Sequence, residues 1–143
     1  MAQGRRRIKL HDMDLLPLRL HPGDDLRGAL LAATAGQPAA WVLAGIGSLS
    51  VAQLRLAGAP EPTALHGDLE LLTLCGSLSP DGAHLHMSLA DASGRVWGGH
   101  VCAGCTVRTT AELLLSRLPG WRFSRQPDGR TGYAELVIDP TRQ

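Results

Sequence analysis

Two clusters of turn-forming residues, at positions 79–82 and 91–94, constrain the fold of this chain more than any other feature. The first is Ser-Pro-Asp-Gly and the second is Asp-Ala-Ser-Gly, and all but the alanine favour turns. Residues 83–90 and 95–103, on either side of the second cluster, have the length of strands. We therefore predict a β-hairpin, with a three-residue loop 92–94 that holds Gly94 in the left-handed region and pairs Asp91 with Arg95.

That register places three histidines on one face of the hairpin. His84 and His86 are two residues apart, so their side chains point to the same side of a strand. The predicted pairing sets His86 opposite His100 and His84 opposite Cys102, with opposed Cβ atoms roughly 5 Å apart. A shift of one residue would move His100 to the other face, so the prediction depends on the turn.

Three imidazoles that converge on one point are typical of a catalytic zinc site, in which the fourth position stays open. We therefore predict that His84, His86 and His100 bind Zn²⁺, with Cys102 as an outside candidate for a fourth ligand. The alternative is that the histidines only occupy the solvated face of an antiparallel hairpin. Half of the six histidines fall within residues 84–100, which favours the metal site.

The remaining segments predict an α+β domain. Asp24 and Asp25 offer N-caps to an amphipathic helix that ends at Gly36. A second helix is predicted from the Thr-Thr-Ala-Glu capping box at 109–112, with a leucine stripe behind it and Pro119 at its end. Strands are predicted at 15–20, 39–43, 51–56, 69–78, 83–90, 95–103, 121–125 and 131–138. The fold class is thus a mostly antiparallel curved sheet of about seven or eight strands with two packed helices.

Length, charge and cysteine content limit the classes of function and the compartments that are expected for this chain. The 143 residues fit a flexible basic tail at 1–12 and one domain at 13–143. A net charge of +1 argues against a strong nucleic-acid interface, which usually needs a dense basic face. No apolar run approaches the roughly 20 residues that cross a bilayer, and the three cysteines, an odd number, agree with a reducing compartment. We expect a cytoplasmic protein that makes no membrane contact.

The glycines at 45 and 47 lack the Lys-Ser/Thr of a phosphate loop and indicate close backbone approach in a sheet.

The order of several motifs resembles the plant-and-prokaryote-conserved (PPC) domain family, over about residues 18–138. The motifs are His84-Leu85-His86, Gly98-Gly99-His100, the run Gly67-Asp68-Leu69-Glu70-Leu71-Leu72, and Thr110-Ala111-Glu112. The resemblance implies a homotrimer and a prokaryotic stand-alone member. The Arg-Gly-Arg-Pro core of the AT-hook that precedes the domain in plants is absent, so DNA binding of that kind is not implied.

The resemblance implies, first, a DNA-associated or regulatory binding module with a three-histidine metal site. Its partner contacts would lie in the segment Gly67, Asp68, Leu69, Glu70, Leu71 and Leu72. Plant members have Gly-Arg-Phe-Glu-Ile-Leu there, so Asp68 reverses the charge of that contact. The alternative for this segment is an ordinary core strand. Nucleic-acid binding is expected to be weak and to start at the basic tail.

The second function is that of a zinc-dependent enzyme, since the fold is distantly similar to that of acetolactate decarboxylase, a zinc enzyme that uses three histidines. Zinc would polarise a carbonyl group or activate water, as in a lyase or hydrolase that acts on a small carbonyl compound. Glu70 would be the general base or would orient a ligand, and its alternative role is a structural hydrogen-bond acceptor. The resemblance favours the binding module, because the family is best known in that role.

Overall fold

The computed structural model describes residues 14–141, which form one helix and eight strands. The strands are β1 (Asp14–Leu20), β2 (Ala40–Arg55), β3 (Thr63–Ser79), β4 (Gly82–Ala90), β5 (Val96–Val101), β6 (Thr106–Arg117), β7 (Trp121–Pro127) and β8 (Ala134–Pro140). The helix, α1, is Leu26–Ala33. Within residues 14–141 no helix is long and apolar enough to cross a membrane. The tail predicted at 1–12 lies outside the described residues.

Six of the strands form one antiparallel sheet in the order β1-β6-β2-β3-β4-β5. The sheet curls far enough for β5 to pair with the end of β2 as well, at Leu54 with Val101 and Arg55 with His100. Strands β7 and β8 form a separate hairpin. The predicted mostly antiparallel sheet is confirmed, and Pro17 lies in the edge strand β1, where a missing N–H is tolerated.

Helix α1 forms as predicted and packs on the core of the sheet. The Asp25 carboxylate caps it by accepting a hydrogen bond from the Gly28 N–H at 2.7 Å. Leu26 and Leu30 lie on one face and are fully buried among the core leucines. The same Asp25 side chain accepts from the Gly104 N–H at 2.9 Å, which ties the helix start to the loop after β5.

The prediction of a second helix at residues 109–118 is wrong, because residues 109–117 belong to strand β6. This strand has partners on both sides, β1 and β2, so its backbone groups are satisfied by neighbours that are distant in sequence. Ala111, Leu113 and Leu115 point into the core, while Glu112 points away. A short leucine run fits either a helix or a buried strand, and tertiary pairing decided here.

Two glycines in the sheet permit unusually close contact between strands. Gly47 of β2 lies against the backbone of Thr110 and Ala111, which places the glycine-rich stretch in a strand and not in a phosphate loop. Gly76 of β3 lies against the backbone of His84 and Leu85 with a φ of +148°, so a Cβ atom there would overlap the His84 carbonyl oxygen. Gly76 thus lets β3 approach the strand that carries two of the histidines.

Replacing Gly76 by alanine is expected to destabilise the fold. The positive φ alone costs an L-residue about 1–3 kcal/mol, and the collision with the His84 carbonyl adds to this. The measurement is the free energy of unfolding from denaturant titration. The matched control is Gly129→Ala, because no heavy atom lies within 4 Å of a Cβ there and φ is not positive. Equal stabilities for the two variants would contradict the prediction.

Candidate metal centre and its cleft

Three histidines meet on the hairpin formed by β4 and β5. His86 of β4 pairs directly with His100 of β5, as the sequence predicts. The turn also agrees, because the Asp91 N–H donates to the Arg95 carbonyl at 2.9 Å and Gly94 has a φ of +81°. His84 lies two residues before His86, on the same exposed face.

The three imidazoles are near enough to share one ion. Ring centroids are separated by 4.9 Å for His84 and His86, 5.4 Å for His84 and His100, and 5.8 Å for His86 and His100. One ring nitrogen from each lies within 4.8 Å of the other two. Three imidazole nitrogens at this spacing are a possible ligand set for one metal ion.

The register of the hairpin is held by one carboxylate at its turn. Asp91 accepts hydrogen bonds from the Ser93 hydroxyl at 2.6 Å, the Arg95 N–H at 3.0 Å and the Trp97 indole N–H at 3.2 Å. These bonds, with the Ser93 hydroxyl foremost, lower the pKa of Asp91 to about 2. The Arg95 guanidinium stacks 4.3 Å from the Trp97 ring. These contacts stabilise the turn in the register that places His100 opposite His86.

A glycine next to His100 brings β5 against β2. A Cβ atom on Gly99 would lie 2.8 Å from the Arg55 carbonyl oxygen, closer than side chains normally come. Because β5 can approach here, Arg55 pairs with His100 across the curled sheet. Gly99 of the Gly98-Gly99-His100 motif therefore allows His100 and Arg55 to lie next to each other.

The surroundings of His84 and His100 favour the neutral imidazole, which is the form that binds a metal. Burial, with the charge of Arg55 next, lowers the pKa of His100 to about 4. Burial, with the charge of Arg125 next, also lowers the pKa of His84. The Nδ1 atom of His100 is buried and has no hydrogen-bond partner among residues 14–141. Since buried polar atoms are nearly always paired, this nitrogen is suited to a metal bond.

A cleft of about 420 Å³ opens beside the histidines. His84 and His100 form part of its wall, and three arginines line it as well: Arg27 of α1, Arg55 of β2 and Arg125 of β7. Glu135 of β8 lines it too. A second cleft, of about 370 Å³, borders His84 and His86 and also contains Glu135.

The hairpin of β7 and β8 is fastened to the sheet next to the histidines. Phe123 is buried with its ring 6.3 Å from that of Trp41 in an edge-on contact. The Arg125 N–H donates to the Asp81 carboxylate at 2.9 Å, and its guanidinium donates to the Ser77 hydroxyl at 2.7 Å. Sequence reasoning missed Arg125 and Glu135, because no local motif announces a contact made across 48 residues of chain.

The structure does not bring Glu70 to the histidines. Glu70 is five residues along β3 from Cys75, the cross-strand partner of His86, or roughly 16 Å at about 3.3 Å per residue. It lines a different cleft with Ile46, Leu72 and Arg108. In the partner segment, Leu69 and Leu71 are buried, while Asp68 is exposed and pairs with Arg108 at 3.1 Å. Gly67 has a φ of +120°.

The predicted pairing of His84 with Cys102 is wrong. Strand β5 ends at Val101, and the Cys102 N–H donates instead to the Gln53 carbonyl at 2.9 Å. The curled sheet turns the chain toward β2 at this point, so the register with β4 stops at His86 and His100. Within the described residues, no cysteine joins the histidine group, and all three cysteines are free thiols.

Sequence comparison finds curated relatives that are much longer than this chain. It is 52% identical over 130 residues to the "Bifunctional protein GlmU" of Synechococcus sp. (strain JA-2-3B'a(2-13)), which covers 90% of this chain and 21% of that protein. The chain thus spans about a fifth of the length of the curated relatives it matches.

Two solved structures have the same fold. A hypothetical protein from Salmonella cholerae-suis (Salmonella enterica) is 42% identical with a TM-score of 0.86, covering 90% of this chain and 94% of its own. A metal-containing protein from Archaeoglobus fulgidus is 27% identical with a TM-score of 0.73, covering 87% and 93%. The family model for the Plants and Prokaryotes Conserved (PCC) domain, the domain called PPC above, matches residues 9–119, and the chain therefore belongs to this family.

Proposed function

We propose that this domain binds one divalent metal ion, most favourably zinc, through His84, His86 and His100. The observation that carries the proposal is the buried Nδ1 atom of His100, which lacks a hydrogen-bond partner among residues 14–141, in a residue that forms a close cluster with His84 and His86. Similarity to a protein described as metal-containing adds support. Three protein ligands leave one position open to the cleft, as in catalytic and not structural zinc sites.

The cleft favours a metal centre that binds a small molecule over a purely structural site. When bound, zinc would supply a Lewis acid that polarises an oxygen of a ligand. Glu135 is one of two carboxylates that line this cleft, with Asp81, and it also lines the second cleft together with His84 and His86. Glu135 can therefore accept a proton from a bound ligand or hold an imidazole in place. A lyase or hydrolase acting on a small carbonyl compound is the enzyme form of this proposal.

A second proposal, the homotrimeric binding module, rests on an exposed groove on another part of the sheet. Ile46 is 55% exposed and Leu72 is 43% exposed, and both line the same groove with Glu70 and Arg108. Large apolar side chains in a shared groove are typical of protein interfaces. We propose that this groove is the contact between copies of the chain in a homotrimer, or with a regulatory partner. The net charge of +1 favours a protein partner over DNA.

We expect purified, untagged protein to carry one divalent ion per chain and His86→Ala to lose it. Removing one of three ligands leaves too few for stoichiometric binding, while the exposed position of His86 leaves the fold intact. Elemental analysis and zinc titration measure the stoichiometry. The matched control is His66→Ala, because His66 is also exposed in a strand but lies outside the histidine group. Tag-free protein, never exposed to chelator, that contains no metal and takes none up would contradict the proposal.

The trimer proposal predicts that Leu72→Glu prevents assembly. A buried, unpaired carboxylate at an apolar contact strongly disfavours association. Light scattering should give wild-type protein a mass about three times 15.2 kDa and give the variant the mass of a single chain. Ile138→Lys is the control, because Ile138 is an exposed apolar residue of the β7–β8 hairpin outside the groove. A monomeric wild-type protein at micromolar concentration would exclude the trimer.

A further inference from the structure

We propose that the cleft beside the histidines binds a small oxyanion, a carboxylate or a phosphate, whose charged group is held by Arg27, Arg55 and Arg125. The inference rests on the proposed metal centre in one respect: a second oxygen of the ligand would bind the open position of the metal. It assigns the three arginines a role in choosing the ligand.

The three guanidinium groups come from separate parts of the fold and line one cleft. Arg27 is on α1, Arg55 is at the end of β2 and Arg125 is on β7, and all three border the volume of about 420 Å³. A guanidinium presents parallel N–H donors that match carboxylate and phosphate oxygens in a bidentate manner. The cleft is therefore lined by three positively charged side chains, which suits it to bind an anion.

Within residues 14–141, none of these three arginines forms an ion pair with a carboxylate. The ion pairs within residues 14–141 join Arg108 to Asp68, Arg117 to Asp14 and Arg130 to Asp128, and none of these arginines lines the cleft. Of the two carboxylates in the cleft, Asp81 accepts the backbone N–H of Arg125 and so has a structural task. Only Glu135 remains to oppose three cations, and a bound divalent ion would add to the excess positive charge.

One of the arginines is already positioned for a ligand. The Arg125 guanidinium donates to the Ser77 hydroxyl at 2.7 Å, which fixes its direction while leaving other N–H donors available. Arg125 is half-buried, so its charge acts in a medium less polar than water. Arg55 pairs with His100 across the sheet, and Arg27 lines the same cleft as His100, so both arginines lie near the proposed metal ligand.

The size of the cleft indicates a metabolite-sized ligand. Its volume of about 420 Å³ falls in the range of roughly 300–1,000 Å³ that small-molecule sites occupy. Arg125 and Glu135 belong to the β7–β8 hairpin, beyond the residues 9–119 that match the family model. The hairpin therefore adds groups to the histidine site that the matched part of the domain does not contain.

The test is calorimetric titration of the untagged chain with two probes, inorganic phosphate and malonate, so that phosphate and carboxylate sources are compared directly. Zinc-loaded and metal-free wild type are both titrated. The test variant is Arg55→Gln, because Arg55 is exposed and the change should not disturb folding. The control is Arg122→Gln: Arg122 is three residues before Arg125 on β7, so it points to the opposite face, and it does not line the cleft. Arg27→Gln serves as a second test variant.

We expect at least one probe to bind zinc-loaded wild type and Arg122→Gln equally. We expect binding about tenfold weaker in Arg55→Gln and in Arg27→Gln, since a hydrogen bond to a charged group contributes about that much. Absence of binding by both probes, or equal affinity in wild type and both test variants, would overturn the inference. If zinc binds and neither probe does, the inference fails and the metal centre stands. If zinc does not bind but a probe binds the metal-free chain and both variants weaken it, the arginine site stands and the metal centre fails.

Discussion

The site depends on the register between β4 and β5, which the Asp91 turn fixes. The Asp91 carboxylate accepts hydrogen bonds from the turn and from the Trp97 indole, and these contacts stabilise the observed alignment of the two strands. That alignment places His86 opposite His100. Because side chains alternate along a strand, a shift of one residue would turn His100 away and disperse the three imidazoles. The proposed metal centre therefore depends on the conformation of one turn.

Close backbone contacts then bring the rest of the site around the hairpin. Gly76 allows β3 to lie against β4 behind the histidines, and Gly99 allows β5 to reach the end of β2. The second contact carries Arg55 to His100, and the hairpin of β7 and β8 adds Arg125 from the other side. The same packing that desolvates His100 also leaves its Nδ1 nitrogen buried and without a partner among residues 14–141. The three imidazoles thus lie close together beside several arginines, and their surroundings favour the neutral form of His84 and His100.

The sequence predicted those features that local chemistry determines. The turn at Asp91 and the parity of His84, His86 and His100 lie within 17 consecutive positions, and both could be inferred from the residues themselves. Strand β6 was mistaken for a helix because its two partners, β1 and β2, are distant in sequence and supply the pairing that overrides a capping motif. Arg27, Arg55 and Arg125 meet only in the folded chain. The predicted pairing of His84 with Cys102 is wrong because it also depends on contacts between distant residues: the sheet curls and β5 ends at Val101.

X-ray absorption at the zinc edge of the loaded, untagged protein tests the central claim most directly, because it reports the atoms bound to the metal. A three-histidine centre is expected to give a first shell of nitrogen and oxygen at about 2.0–2.1 Å with the outer-shell pattern of several imidazoles, and no sulfur. His86→Ala should lose this signal. A shell of sulfur at about 2.3 Å would show that free thiols such as Cys75 or Cys102 bind the ion, and a first shell without imidazole would also contradict the three-histidine centre.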